Sequence, residues 1–391
     1  MDVLIVGAGI GGPTLAYWLL RAGHQVTIVE RAPQLRRGGY VVDFWGAGFD
    51  VAERMGIVPD LRDRGYTFTQ ARSVDGAGRR VASVRPATIL GDITRYVTIG
   101  RSDLAAAIDD ALDGAAELIL DDTVRALLDE GSRVRVTFET RPARDFDLVV
   151  GADGLHSAVR RLVFGPDERF ERYLGMVIAA FEVPGYRPRD ESIAIMHADV
   201  GFQALRVCLR NDVTLFLLSV RHEGAVPFDD REAQQDLLRR ALAGGGWETP
   251  AILDAMPRAE TFYFDRVSQI RMPSWTRGRV ALVGDAAACP SFLAGQGSAL
   301  AMVESYTLAA ELSRCTDHVA AFAEYERRLA PLVRSKQDAA TGLGLAFAPK
   351  NRWQLFLRNG GMRLMALPKV GDMVMGRSFR DKVELPPFMA A

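Results

Sequence analysis

Residues Asp2–Val6 form a short run of apolar, partly β-branched side chains, the pattern of a parallel strand buried on both faces. Behind it apolar positions recur at Leu15, Trp18, Leu19 and Ala22, which is helical spacing over residues 11–22, and Gly23 stops the helix. Gln25–Glu30 reads as a second strand, so the first thirty residues predict a β–α–β unit. Helical spacing returns over 48–55 and 102–112, where Ser102 or Asp103 can cap the start. Strands are expected at 118–120, Val134–Phe138 and 146–151, the last running into Gly151-Ala152-Asp153-Gly154.

The middle of the chain changes period. Strand-like runs at 177–183, 192–197, 202–209, 213–220 and Phe262–Ile270 are separated by turn residues and one helical stretch, 230–243, which predicts a mostly antiparallel sheet. A buried-strand pattern resumes at 279–283, followed by helices over 296–312, 320–345 and around 353–357. The chain is therefore α/β with an inserted sheet. No internal repeat or low-complexity tract breaks this order.

Composition narrows the classes. At 391 residues the chain exceeds one ordinary core, so two domains are expected. With 48% hydrophobic and 25% charged residues it is globular rather than disordered, and a net charge of −1 offers no field for nucleic acid or an anionic membrane. Four lysines stand against 44 arginines, so no arginine is informative by type alone. Cys208, Cys289 and Cys315 are too few and scattered for a disulfide framework or a zinc site, which suits a cytoplasmic setting. His24, His156, His197, His222 and His318 are widely spaced, so no metal centre is expected. No basic segment precedes the first apolar run, so a leader peptide is not expected, and 280–303 is too interrupted to span a membrane.

Three motifs carry chemistry. The first, Gly7-Ala8-Gly9-Ile10-Gly11-Gly12, is a G-x-G-x-x-G between a strand and a helix, with Gly7, Gly9 and Gly12 at the key positions. Its glycines permit a tight turn and close approach of a pyrophosphate, and the helix start supplies free N–H groups. Glu30 ends the second strand, where a carboxylate accepts ribose hydroxyls and repels a 2′-phosphate, so FAD or NAD is favoured there over NADP. In the second motif, Gly284-Asp285 is followed by Gly295-Gln296-Gly297-Ser298 at a helix start. Asp285 can bind ribityl hydroxyls, and the helix start can stabilise negative charge on a reduced flavin. The third runs from Gly151 to Arg160. Asp153 can cap the helix that follows and Arg160 can pair with it, while His156 reads as a solvated or structural loop residue.

In this order and spacing the motifs resemble those of the class A, single-component flavin monooxygenases built on the para-hydroxybenzoate hydroxylase fold. Finer matches are similar to the tetracycline-inactivating flavin monooxygenases: Arg36-Arg37-Gly38-Gly39-Tyr40-Val41-Val42-Asp43, Gly100-Arg101-Ser102-Asp103-Leu104, and Ser274 to Arg279 before the Gly-Asp strand. The resemblance implies a discontinuous Rossmann-like FAD-binding domain (1–70, 100–170, 271–330), an inserted substrate-binding domain (71–99, 171–270) and a C-terminal helical segment (331–391). Asp43, Arg101 and Asp285 would contact FAD, and Arg36 would receive NADPH or the mobile flavin. Ile10, Arg31 and Val124 complete the candidate cofactor set.

The resemblance further implies that NADPH or NADH reduces FAD and that a flavin C4a-hydroperoxide hydroxylates a small aromatic substrate using O₂. No protein nucleophile is then required, and a monomer or weak dimer suffices. Substrate would lie between flavin and sheet, with Met196, Phe202, Phe216 and Phe292 as lining candidates. The C-terminal segment with Trp353, Phe356, Met362, Met365, Met373 and Met375 either closes the channel or packs as ordinary helix. One departure stands out: Ala288 replaces a family histidine, and Ser291-Phe292 replace a Pro-Pro, so substrate identity does not transfer. A flavin reductase of the same fold and a non-catalytic flavin sensor are the competing readings. A flavin halogenase is disfavoured, because its Trp-x-Trp-x-Ile-Pro segment is absent.

Overall fold

The computed structural model describes residues 1–35, 40–85, 93–342, 344–367 and 383–390. Arg36, Arg37, Gly38, Gly39, Met373 and Met375 lie outside the described residues.

Two sheets organise the chain. The first has six strands, and its central four, Val280–Leu282, Leu148–Gly151, Asp2–Val6 and Gln25–Glu30, lie parallel in that spatial order, with Glu117–Leu120 parallel at one edge. Val3, Leu4, Ile5, Val149 and Val150 are fully buried, as expected of parallel strands covered on both faces. The helices Gly11–Arg21 and Gly297–Arg314 pack against each other beside this sheet. The strand expected at 146–151 divides in two: Arg144–Phe146 joins a separate three-stranded sheet, and Leu148–Gly151 enters the parallel one.

The second sheet has seven strands, in spatial order Phe262–Ile270, Glu171–Pro184, Val213–Arg221, Phe202–Cys208, Ile193–Asp199, Gln70–Val74 and Arg80–Val84. All its pairings are antiparallel except that of Ile193–Asp199 with Gln70–Val74. One face packs against the helices Arg231–Ala241 and Thr249–Ala255 through Phe181, Phe202, Phe216, Leu238 and Ile252. The other face looks toward the 292–294 turn and Tyr40. A small antiparallel pair, Val41–Trp45 with Tyr96–Gly100, brings Tyr40 there.

Of the C-terminal helices, the one expected at 320–345 spans His318–Gly342, and the one expected around 353–357 runs longer, Arg352–Met365. Asn351 starts the second by accepting a hydrogen bond from the Gln354 N–H at 2.9 Å. The tail then returns to the first layer, where the Phe388 ring meets Trp18 at 4.9 Å and Pro386 accepts from the Tyr306 hydroxyl at 2.7 Å. No helix among the described residues is long and apolar enough to cross a membrane.

Candidate active site

The glycine fingerprint divides into structural and open positions. Gly7 has φ of +108°, and a Cβ on it would meet the Ala152 carbonyl at 2.6 Å. A Cβ on Gly12 would lie 2.0 Å from the Gly7 carbonyl oxygen. Gly9 is different: its nearest would-be neighbour is the Arg101 guanidinium at 3.7 Å, so this glycine borders open space. That space is a cleft of about 620 Å³ bordered by Gly7, Gly9, Glu30, Arg31, Arg101 and Asp153. The helix Gly11–Arg21 has no acidic residue in its first turn, so its N-terminal dipole is uncompensated by its own sequence.

Glu30 braces this cleft, accepting from the Ala8 N–H at 2.8 Å and the Ala32 N–H at 3.0 Å. Ile10 and Gly12 are buried beneath the turn. Val124 is buried as well, and its neighbour Thr123 reaches the cleft. Asp153 accepts from the Ser157 hydroxyl at 2.5 Å and from the N–H groups of Ala158 and Val159, so it braces the start of the helix Ala158–Val163, whose N-cap is Ser157, accepting from the Arg160 N–H at 2.9 Å. Burial raises its pKa, and these hydrogen bonds act in the opposite direction. Arg160 does not pair with it. Its fully buried guanidinium binds Asp167 at 2.7 Å and the Ala286 carbonyl at 3.0 Å, tying the Asp-Gly motif to the Gly-Asp motif.

Asp285 stands at the end of the strand Val280–Leu282 and opens a short helix, Asp285–Ala288. Burial raises its pKa, opposed by a hydrogen bond from the Cys289 thiol and by the Arg101 charge. Gly295 takes the left-handed conformation and Gly297 starts the helix to Arg314, again without an acidic first turn. A Cβ on Gly297 would sit 3.6 Å from the Asp285 carboxylate, so the carboxylate and this helix N-terminus are adjacent. Gln296 is buried, and its Nε2 has no partner among the described residues. An amide donor so placed has a desolvation cost that a ligand acceptor removes.

Asp43 is exposed on the two-stranded sheet, where it accepts from the hydroxyls of Tyr96 at 2.5 Å and Thr98 at 2.6 Å. Arg101 links that sheet to the cleft: its N–H donates to the Tyr40 carbonyl at 3.0 Å while its side chain reaches toward Gly9. Glu304, unremarked in the sequence, is buried on the Gly297–Arg314 helix and accepts from the Gly284 N–H at 2.5 Å. Burial pushes its pKa well above the usual carboxylate value.

The residues present fit a dinucleotide carrying a second, hydroxyl-rich chain. Gly9 leaves room for a diphosphate, two strand-end carboxylates can accept hydroxyls, and Gln296 with its helix N-terminus leaves donors for a polar ring edge.

Register separates the four lining candidates. Directly paired residues share a face, and the row Met196, Leu205, Leu217, Ala180, Tyr263 runs across five strands. Met196, Leu205, Leu217 and Tyr263 each keep part of their surface accessible. Phe292 meets Tyr40 at 5.5 Å above this row, and Tyr40 meets Tyr263 at 5.6 Å. Phe202 and Phe216 belong to the opposite face, buried against the helices, and so do not line this space. Strand alternation put them out of phase with Leu205 and Leu217, and both faces are apolar, so the sequence alone could not choose between them.

Ser291 has φ of +90° and accepts from the Leu293 N–H at 3.2 Å. Proline is held near −65°, so the departure from Pro-Pro noted in the sequence changes the backbone path as well as the side chains. Trp353 and Phe356 are exposed and stack on each other at 5.7 Å. The C-terminal helix turns Arg358 inward instead.

The family model described as FAD binding domain matches residues 1–335. An uncharacterized protein of Mycobacterium tuberculosis (strain ATCC 25618 / H37Rv) is 39% identical over 339 residues, 86% of this chain and 91% of that protein. A flavin-dependent monooxygenase of an unknown prokaryotic organism is 36% identical over 341 residues, covering 86% of this chain and 87% of its own. Among solved structures, tetracycline destructase Tet(55) superposes with a TM-score of 0.83 at 32% identity, covering 99% of this chain and 98% of that one.

Proposed function

The chain belongs to the FAD binding domain family and is an FAD-dependent monooxygenase, and on that premise we propose that it uses NAD(P)H and O₂ to hydroxylate a polycyclic or phenolic small molecule. Bound FAD supplies the redox chemistry and oxygen activation. The chain's own residues bind, orient and exclude water. Gly9 and the N-terminus of the helix Gly11–Arg21 receive the diphosphate, with Arg101 beside it, and Glu30 takes the adenosine ribose. Arg31 and Val124 complete the adenosine end, and Asp43 and Arg36 the flavin approach. Asp285, Gln296 and the N-terminus of the helix Gly297–Arg314 hold the ribityl chain and the ring edge where negative charge develops. We assign 1–70, 100–170 and 271–330 to cofactor binding and 71–99 with 171–270 to substrate binding.

The observation that carries the substrate class is the accessible apolar row from Tyr263 to Met196, roofed by Tyr40 and Phe292. Four strand intervals at about 4.8 Å each give it a length of about 19 Å, enough for several fused rings. Tetracyclines are the first compounds to test, given the likeness to tetracycline destructases, while the altered backbone at Ser291 favours a substrate of this chain's own.

The test is purification, a visible spectrum, and parallel measurement of NADPH oxidation, O₂ uptake and product mass across phenols and tetracyclines. A yellow protein giving a product heavier by one oxygen atom supports the proposal. Substrate turnover without O₂ uptake would establish the reductase reading instead.

A further inference from the structure

Arg358 is a buried cation without an acidic partner among the described residues. It projects from the helix Arg352–Met365 and retains 7% of its surface. Its Nε donates to the Ala346 carbonyl at 2.8 Å, Nη1 to Ser73 Oγ at 3.4 Å and Asn359 Oδ1 at 3.2 Å, and Nη2 to Gln203 Oε1 at 2.7 Å. All four acceptors are neutral. A guanidinium carries five N–H donors, so one hydrogen on Nη2 is left without an acceptor among the described residues. Burial alone lowers its pKa to about 10, which leaves it charged at neutral pH. Among the described residues the other two arginines with so little surface, Arg160 and Arg206, pair with Asp167 and Asp190. A buried charge of this kind is costly unless something negative arrives beside it.

Its position gives the charge a use. Gln203 pairs with Ser219, Ser219 with Ile178 and Ile178 with Asp265, a row parallel to the apolar one and on the same face. Gln203 is thus three strand intervals, about 14 Å, from the Asp265 column that lies on the Asp285 side of the molecule. Ser73 pairs with Met196 at the far end of the apolar row. The guanidinium therefore sits at the end remote from Asp285, with Leu205 and Leu217 between.

We infer that Arg358 is an anchor for an anionic oxygen of the substrate, a carboxylate or an ionised enol or phenol, carried at the end of a fused-ring molecule away from the reacting ring. This deepens the monooxygenase reading and rests on it for the placement of substrate. The anion takes the free Nη2 hydrogen and neutralises the charge, and the neutral acceptors hold the fork in orientation. Because Arg358 also fastens its helix, the substituted proteins must separate charge recognition from docking.

The test uses FAD-reconstituted full-length protein and two probes, anthracene-2-carboxylate and its methyl ester, with binding read from probe fluorescence. Wild type is expected to prefer the acid at least tenfold. R358Q should lose that preference while binding the ester within twofold of wild type, and R358K should keep a reduced preference. Hydrogen exchange across Arg352–Met365 reports helix docking in each protein. Equal binding of acid and ester by wild type, or an acid preference that survives in R358Q, overturns the inference. So does a parallel loss of both probes in R358K with the helix still protected. These readouts need no turnover. A protein that shows the preference yet takes up no O₂ contradicts the monooxygenase reading and leaves the anchor standing.

Discussion

The Nε2 of His156 lies 3.1 Å from Oδ1 of Asp265, joining the loop after the strand Leu148–Gly151 to the seven-stranded sheet. Asp265 also accepts from the Arg266 N–H at 2.8 Å and the Tyr263 hydroxyl at 3.3 Å. The contact positions one layer on the other, and the imidazole is 41% exposed, so the pair is worth at most about 1 kcal/mol. His156→Ala should therefore leave flavin content nearly unchanged and lower the melting temperature slightly. Asp285→Ala, which removes the carboxylate beside the Gly297 helix start, should purify largely free of FAD and need a cofactor excess to regain colour. Equal retention of FAD by the two variants would contradict the role proposed for Asp285.

Gly9 and Gly12 should respond in opposite ways to the same methyl group. At Gly12 the methyl meets the Gly7 carbonyl at 2.0 Å, so Gly12→Ala forces the backbone apart and should cost roughly 3 kcal/mol or more. At Gly9 no clash threatens the fold. Gly9→Ala should melt close to wild type yet bind FAD at least tenfold more weakly, because its methyl occupies the cleft. Denaturation of the apoprotein and flavin-fluorescence titration measure the two effects separately.

Glu304 makes stability depend on pH in a defined direction. Its folded pKa is raised by burial, so the native state keeps a proton that the unfolded chain releases. The stabilisation is complete below the ordinary carboxylate pKa, is lost progressively as pH rises, and has gone once pH exceeds the raised folded value. Glu304→Gln imitates the protonated acid at every pH and retains an acceptor for the Gly284 N–H. The melting-temperature difference between variant and wild type should thus move in favour of glutamine between pH 5 and 9. A difference that stays constant over that range would show that Glu304 does not titrate there.

The parts of the fold legible in sequence are those where one physical requirement acts alone. Strands such as Asp2–Val6, covered on both faces, show as unbroken apolar runs, and the fingerprint glycines show because the turn tolerates nothing larger. The hairpin Gln70–Val74 with Arg80–Val84 leaves little trace in sequence because its residues are mostly polar or small and its order comes from edge pairing with Ile193–Asp199. The full length of the helix Arg352–Met365 is not legible because Gly360 and Gly361 interrupt its apolar pattern, although packing on the strand Arg80–Val84 carries it through. Arg358 was hidden among 44 arginines, where only its surroundings distinguish it. Tyr40, Tyr263 and Asp265 were missed for a related reason: their meeting depends on register between strands remote in sequence.

The two faces of the seven-stranded sheet should separate stability from specificity. Phe216 is fully buried against Phe181 and Tyr186 on the helix-covered side, so Phe216→Ala leaves a cavity and should cost about 3–5 kcal/mol. Its effect on substrate affinity, measured well below the lowered melting temperature, should be small. Leu205 is on the other face, between Met196 and Leu217, with part of its surface accessible. Leu205→Trp adds bulk where the rings are proposed to lie, so KM for whichever aromatic compound the turnover screen identifies should rise at least tenfold, with thermal stability little changed. The comparison is sharpest as a ratio of effects, because a generally loosened sheet would raise KM in both variants. A Phe216→Ala protein with the larger KM defect would place the substrate on the helix-covered face and reverse the assignment.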